Sequence, residues 1–268
     1  MEATLTAAST PAIEAAARVC AEVHGLRPLT SSGGSAAVTA ASDVARQFST
    51  DVSSISDAQR GALFAELGDA AGPFVLALYV VDMVPRLFAT LEALFGAGAW
   101  DQPLVPDAEP AADLWASIDA FIRAVPRLTA LDPVTTELVR LRGATHHDCR
   151  LCKSVRSRPA LLAAGSDTIF DVPFATTADG LDASQAAALA LVDAMVWTPG
   201  RIAADVLVDV HRHFSDHQCV EIALDVVRNA TNKIAVAFRA DAPHVTAGYE
   251  IYDIGENGDM VYGLTLAG

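Results

Sequence analysis

Two cysteines and two histidines lie close together in the segment HHDCRLCKSVR at 146–156. Cys149 and Cys152 are three residues apart, so on a helix they share one face and can close a small disulfide. A helix that begins around Asp148 would place Cys149 in its first turn, where free backbone N–H groups and the helix dipole stabilise a thiolate. The spacing therefore favours thiol chemistry.

Positive charge is concentrated around this pair, although the formal net charge of the chain is −15. An opposite charge nearby lowers the pKa of a thiol, and the thiolate is its reactive form. We therefore expect the cations to keep a thiolate available at neutral pH. They are Arg140, Arg142, Arg150, Lys153, Arg156 and Arg158.

The same residues admit two other interpretations. The cysteines can be two buried side chains with an accidental spacing, or His146, Cys149 and Cys152 can belong to a zinc site. Six cations are unfavourable neighbours for Zn²⁺, so we expect no metal, and we predict no bound cofactor. Candidates for the fourth zinc ligand are His147, His213 and His217.

The rest of the chain has the pattern of a helical protein. Its 268 residues are 52% hydrophobic and only 6% aromatic, which is typical of helices packed through small side chains. Asp132 before Pro133 predicts the start of a helix that carries Glu137, and Ser56 and Ser215 are further N-cap candidates. Strand-like pieces occur only in GYEIYDIGENGDMVYGL, where ENGD is a hairpin signal. The predicted fold is all-α with a short C-terminal hairpin.

Three details of these helices bear on the site. The cysteine segment is expected to stay helical to about Gly165, and DHQCVEIALDVVRNATNKIAVAFRA to form one long helix. Within it, Asn229 and Asn232 are unusual by propensity, and we expect a structural role for them in preference to a place in an active-site wall. In the apolar run from 73 to 95, Pro85 is expected to break or kink the chain.

Charge and segment length exclude several classes of partner. A net charge of −15 opposes binding to nucleic acid or anionic lipid. The most apolar run, PFVLALYVVDMV, is too short to span a bilayer and contains Asp82, and the N-terminus does not resemble a signal peptide. Cys20 and Cys219 are expected to be buried thiols in a reducing compartment. We predict a cytoplasmic protein that binds neither nucleic acid nor membrane.

Two stretches resemble a known family. LDPVTTELVRLRGATHHDCRLC looks like the signature of the AhpD-like, carboxymuconolactone decarboxylase family, in which a glutamate on a helix precedes a C-x-x-C pair by twelve residues, as Glu137 precedes Cys149. FSDHQCVEIALDVVRNATNKIAVAF is similar to the C-terminal helix of that family. The resemblance divides the chain into an extension with a flexible linker at 1–45, an AhpD-like multi-helical domain at 46–243 and a tail at 244–268.

The resemblance implies a compact helical fold, assembled as a trimer or hexamer, and alkyl hydroperoxide reductase activity. In such members the second cysteine attacks the peroxide, the first resolves the sulfenic acid, and a lipoyl group or other dithiol restores both. Carried over, Cys152 is the peroxidatic thiol, Cys149 the resolving thiol and Glu137 a proton-relay base. The expected function is thiol-dependent reduction of organic hydroperoxides.

One position departs from the pattern of the family. The motif continues as C-x-x-C-x-x-x-H, and Arg156 stands in place of the histidine. Arginine cannot accept a proton, but it can stabilise a thiolate or a peroxide oxyanion. His146 or His147 is a candidate for the missing base. The alternative is a redox-inactive or differently specialised member, either decarboxylase-like or a binding or structural protein.

Overall fold

The chain is mostly helical in a computed structural model that describes residues 10–29, 39–98, 113–174 and 180–267. The α-helices are α1 (Pro11–His24), α2 (Ala40–Asp51), α3 (Asp57–Leu67), α4 (Ala71–Phe95), α5 (Leu114–Ala124), α6 (Pro133–His146), α7 (Arg150–Lys153), α8 (Arg158–Ala164), α9 (Ala183–Trp197), α10 (Ala204–His213), α11 (Asp216–Asn229) and α12 (Asn232–Ala237). Short 3₁₀ turns lie at Val52–Ser54, Gly68–Ala70, Val125–Arg127, Thr168–Phe174 and Pro199–Arg201. The strands are β1 (Val155–Ser157), β2 (Glu250–Ile254) and β3 (Met260–Leu264). The predicted all-α fold class is confirmed.

The three helix starts predicted from side-chain caps are present. The Ser56 and Ser215 hydroxyls each accept from the third helical N–H, and a glutamine at that position completes a capping box at both. The Asp132 carboxylate accepts from two N–H groups in the first turn of α6, and Pro133 occupies the first helical position. These caps satisfy donors that a helix start would otherwise leave unpaired.

Helix α4 lies at the centre of the fold and packs against α1, α9, α11 and α12. It continues unbroken through Pro85, because buried apolar side chains on both sides of the proline hold it in the core. The apolar stretch at 57–95 is long enough to cross a membrane by composition, yet 78% of its most apolar window is buried inside the protein. That burial is what a core helix shows.

The N-terminal region contributes to the same core. Ala16 and Ala17 on α1 and Phe48 on α2 have no exposed surface and pack within the main apolar cluster. The expected boundary between residues 45 and 46 therefore falls inside α2. Within the extension with a flexible linker predicted at 1–45, residues 30–38 lie outside the described residues, and the chain is helical from Ala40 onward.

The C-terminal hairpin is joined by a strand that the sequence did not predict. Strands β2 and β3 pair antiparallel, and β1 adds to β2 in parallel register. The segment expected to be helical to about 165 is therefore divided into α7, β1 and α8, because residues 155–157 bond to the distant tail and Ser157 then caps a new helix. The expected long helix also separates, at 230–231, into α11 and α12.

Candidate active site

The two cysteines form a disulfide at the start of α7. Asp148 adopts a left-handed conformation, with φ of 47°, and this turns the chain sharply after α6. Cys149 is the N-cap residue of α7, so Asp148 does not cap it as predicted. The Cα atoms of Cys149 and Cys152 are 5.3 Å apart, and the N–H of Cys152 donates to the sulfur of Cys149 at 3.2 Å. This N–H would stabilise a thiolate on Cys149 in the reduced protein.

The turn that carries the disulfide is held from two sides. Arg140 donates to the carbonyl oxygen of Cys152 and to that of Val155, both at 2.8 Å. On the other side, the Asp241 carboxylate accepts from the N–H of Arg150 at 2.9 Å, and the Asp241 carbonyl accepts from the N–H of Leu151 at 3.0 Å. The positions of the sulfurs are therefore fixed by α6 and by the segment that follows α12.

Glu137 is bonded on both carboxylate oxygens. Arg140 donates to each oxygen at 2.7 Å. Ser157 donates its N–H to Oε1 at 3.1 Å, and the Tyr252 hydroxyl donates to Oε2 at 3.0 Å. With four hydrogen bonds and 1% exposure, this carboxylate has little capacity left to accept a hydrogen bond from a substrate. Its position instead fixes Arg140.

Each of the six cations predicted to act on the thiols has a carboxylate neighbour among the described residues, so these six do not form the field of uncompensated charge that the sequence predicts. Three of these acids, Asp193, Asp241 and Asp253, lie 51 to 95 residues from their cations, and the fold brings them in. Each pair lowers the net potential at the sulfurs. The pairs are Arg140–Glu137, Arg142–Asp193, Arg150–Asp241, Lys153–Asp148, Arg156–Asp171 and Arg158–Asp253.

Arg156 occupies an aromatic cage. Its guanidinium lies 5.2 Å from the centre of the Tyr249 ring and 5.5 Å from that of Phe174. It also donates to the carbonyl oxygens of Lys153 and Val155, at 2.8 and 2.9 Å. Burial and the nearby Arg140 lower its pKa from the ordinary value. These contacts join the tail to the core.

The two histidines before the cysteines contact other parts of the fold. His146 Nε2 lies 2.6 Å from Asp193 Oδ1, and its Nδ1 accepts from the Trp197 indole at 3.2 Å, so both ring nitrogens are occupied. His147 is buried near Lys233, and burial holds its pKa well below the ordinary value. Neither residue lines the cavity beside the thiols. Within the described ranges, no group of three His, Cys, Asp or Glu residues is arranged to hold a metal.

Cys152 lines a cavity of about 210 Å³. The wall is built from α5, α6, the disulfide turn, β1, the junction of α11 and α12, the turn of the hairpin and strand β3. Of the residues that the sequence places near the thiols, Cys152 and Arg140 line the cavity. Asn229 and Asn232, for which a structural role is expected in preference to a place in an active-site wall, line it as well. Sequence reasoning missed the other lining residues: Asp119, Ile122, Arg123, Leu151, Val155, Arg228, Thr231, Gly258, Asp259, Met260 and Tyr262.

The hairpin turn is docked against α5. Gly258 has φ of 85°, and a Cβ there would overlap the carbonyl oxygen of Arg123. The Arg123 side chain forms ion pairs with Asp119 and Asp259, so it links helix and turn. The tail thus supplies one side of the cavity that Cys152 faces.

A second buried polar cluster surrounds Asp82 on α4. This carboxylate lies 2.7 Å from Arg86 and 2.6 Å from Lys233, and Ser49 donates to it at 2.6 Å. Arg86 and Lys233 hold the pKa of Asp82 well below the ordinary value, while burial raises the pKa of the neighbouring Cys20 thiol. The cluster ties α2, α4 and α12 together, and Cys20 is the inert core thiol that the sequence predicts.

Comparison with known proteins finds relatives in Mycobacterium tuberculosis. "Uncharacterized protein Rv2313c" of strain ATCC 25618 / H37Rv is 45% identical over 234 residues, which cover 82% of this chain and 79% of the relative. "Uncharacterized protein MT2376" of strain CDC 1551 / Oshkosh matches with the same identity and coverage. No family model and no solved structure matches the chain.

Proposed function

The chain belongs to the same family as these two Mycobacterium tuberculosis proteins, and we propose that it is a dithiol oxidoreductase of the alkylhydroperoxidase type. The observation that carries this proposal is the Cys149–Cys152 disulfide, one member of which lines a cavity. A bridge between residues three apart constrains the unfolded chain little, and this turn is already held by hydrogen bonds. Such a bridge adds little to the stability of the fold, and it suits reversible redox chemistry.

The proposed oxidant is an organic hydroperoxide. The Cys152 thiolate attacks the terminal oxygen, an S–O bond forms and the O–O bond breaks, and the alkoxide leaves as an alcohol after taking a proton from solvent. Cys149, deprotonated, then attacks the sulfenic sulfur of Cys152, so that an S–S bond forms and the S–O bond breaks, and hydroxide leaves as water. A dithiol such as a lipoyl group reduces the bridge and becomes a disulfide itself.

Three residues position this chemistry without touching the reacting atoms in our scheme. Arg140 holds the turn through the Cys152 carbonyl, and Glu137 and Tyr252 hold Arg140. We therefore assign Glu137 a positioning role in place of the proton relay that the resemblance implies. The Arg156 cage serves the attachment of the tail.

A second oxidant is favoured by the bonding of Glu137. Its carboxylate accepts four hydrogen bonds and is not placed to hand a proton to a leaving group, so a substrate whose leaving group needs no proton donor also suits the site. An organic disulfide is such a substrate, because a thiolate leaves readily at neutral pH. Thiol–disulfide exchange is therefore the second candidate reaction.

We also propose that the protein assembles as a homo-oligomer, a trimer or hexamer. Its proposed compartment is a reducing cytoplasm, without nucleic-acid or membrane partners. Several large apolar side chains are about half exposed, among them Phe64, Trp115 and Val208, which is consistent with further burial in an assembly. Light scattering at micromolar protein tests the assembly, and a mass near the 28.0 kDa of one chain would contradict it.

Turnover of cumene hydroperoxide with dihydrolipoamide as reductant tests the activity. Loss of hydroperoxide is measured for the wild type, for Cys149→Ser and Cys152→Ser, and for Cys219→Ala as a control at a buried thiol outside the site. We expect turnover in the wild type and in the control, and loss of turnover in both serine variants. Absence of turnover in the wild type with hydroperoxide and with an organic disulfide would overturn the proposed function.

A further inference from the structure

Arg228, in the last turn of α11, lines the Cys152 cavity with donors to spare. Its Nε donates to the carbonyl oxygen of Ile122 at 3.2 Å, and Nη1 lies 3.4 Å from the Asn229 side-chain oxygen. Among the described residues, Nη2 has no hydrogen-bond partner, and no carboxylate lies within ion-pair distance of the guanidinium. This part of the guanidinium is available to a ligand.

The carboxylates around the cavity form their ion pairs with other arginines. Asp119 and Asp259 both pair with Arg123, and Glu137 pairs with Arg140, so none of the three is an ion-pair partner of Arg228. The acid next to Arg228 on its own helix is Asp225, which is 3% exposed and whose pKa burial raises to about 8. Asp225 thus holds its proton at neutral pH, and Arg228 contributes a full positive charge.

The rest of the wall is mixed in polarity. The Asn229 side-chain oxygen lies next to Arg228, and Leu151 and Val155 line the same cavity as Cys152. A ligand that contacts both Arg228 and Cys152 has an anionic end and a reactive end joined by a short apolar part. The volume of about 210 Å³ limits it to a small molecule.

We propose that Arg228 determines specificity by binding the carboxylate of a small oxidant whose reacting atom reaches Cys152. This inference rests on the proposed function. The carboxylate can belong to a hydroperoxide or to a disulfide. With a disulfide, the Cys152 thiolate attacks one sulfur and expels a thiolate, and Cys149, deprotonated, attacks the mixed disulfide and expels the second. The protein dithiol loses two electrons and two protons, and the substrate gains them as two thiols.

Rates of oxidation by charged and neutral partners of the same shape test this proposal. The disulfide arm compares 3,3′-dithiodipropionate with bis(2-hydroxyethyl) disulfide, and the peroxide arm compares a short hydroperoxy acid with its methyl ester. Proteins are the reduced wild type, Arg228→Met, Arg228→Lys and, as a control at an exposed arginine on α10, Arg212→Met. Circular dichroism verifies the fold of each variant.

We expect the wild type and Arg212→Met to prefer the anionic oxidant by about tenfold or more, since a charge-assisted hydrogen bond is retained in each. Arg228→Met should lose that preference because its rate with the anionic oxidant falls, while its rate with the neutral oxidant stays unchanged. Arg228→Lys should keep part of the preference. The arm that shows the preference identifies the class of oxidant. Equal rates for both members of each pair in the wild type, or an unchanged ratio in Arg228→Met, would overturn the proposal and leave the proposed function standing.

Binding to a protein without the two thiols separates the two claims. In Cys149→Ser/Cys152→Ser, titration calorimetry with 3,3′-dithiodipropionate should show binding that weakens about tenfold on adding Arg228→Met. If this binding is found while no oxidant acts on the wild type, the anion site stands and the proposed function fails. If the double variant binds the dianion no more tightly than the diol, the anion site is wrong whatever the activity.

Discussion

Arg140 donates from Nη1 to the carbonyl oxygen of Cys152 at 2.8 Å, and its other donors bind both oxygens of Glu137. One buried guanidinium therefore connects helix α6 to the turn that carries the disulfide. Because the pair is buried, removing Arg140 leaves the Glu137 charge uncompensated and takes this donor from the carbonyl oxygens of Cys152 and Val155.

The first prediction concerns this connection. Arg140→Met should lower the free energy of unfolding by about 3 to 5 kcal/mol, because it leaves the Glu137 carboxylate buried without its cation. The double variant Arg140→Met/Glu137→Leu should recover part of that loss. Urea denaturation measures both values. A loss below about 1 kcal/mol for the single variant, similar to that of a surface pair, would mean that the pair does not hold the turn.

The second prediction concerns Arg156. Arg156→Ala should leave the pH dependence of iodoacetamide alkylation at Cys152 unchanged, because Arg156 lies in the cage of Tyr249 and Phe174 and does not line the cavity. The same variant should lose about 2 kcal/mol of stability through the cation–π contacts. For the same reason, Arg156→His should gain no peroxide turnover. Slower alkylation at pH 6 in Arg156→Ala would place the arginine at the thiols after all.

The extent to which the sequence predicts this site depends on the distance between partners along the chain. Asp132 and Pro133 are adjacent, so the start of α6 is predictable from local chemistry. Arg150 is neutralised by Asp241, which lies 91 residues later, and no local pattern indicates that pairing. The prediction of a cation field was wrong for this reason, while the all-α fold class, the capped helix starts and the hairpin were correctly predicted.

Strand β1 illustrates the same limit. Three residues, Val155–Ser157, are too few to show a period of two, and their partner is the tail strand β2. The break between α11 and α12 had a weaker signal in Asn229 and Asn232, two residues of low helix propensity that instead line the cavity.

The third prediction is a pH dependence caused by Asp225. Burial raises its pKa from 3.8 to about 8, so between these values the folded chain keeps a proton that the unfolded chain has released. Stability should therefore fall as pH rises through this window, by up to about 1.4 kcal/mol per unit from this group. Urea denaturation at pH 5.5, 6.5 and 7.5 measures the slope. The wild-type slope should be more negative than that of Asp225→Asn, and parallel slopes would show that Asp225 is ionised in the fold.

The fourth prediction concerns the docking of the hairpin. Gly258→Ala should detach the turn from α5, because the added Cβ overlaps the carbonyl of Arg123 and the backbone is left-handed. Limited proteolysis should then cleave the tail faster than in the wild type. Gly61→Ala is the matched control, because Gly61 lies in α3 where an added methyl group would meet no atom within 4 Å, and it should protect the tail as the wild type does. Equal cleavage of the tail in all three proteins would contradict the docking.

The most direct test of the central claim is the intact mass of the reduced protein before and after one equivalent of cumene hydroperoxide. The account predicts a loss of about two daltons, confined by peptide mapping to the Cys149–Cys152 pair and reversed by dihydrolipoamide. It also predicts that Cys149→Ser accumulates a dimedone-reactive sulfenic acid on Cys152. An unchanged mass, with both thiols still open to alkylation after unfolding, would contradict hydroperoxide reduction at this pair.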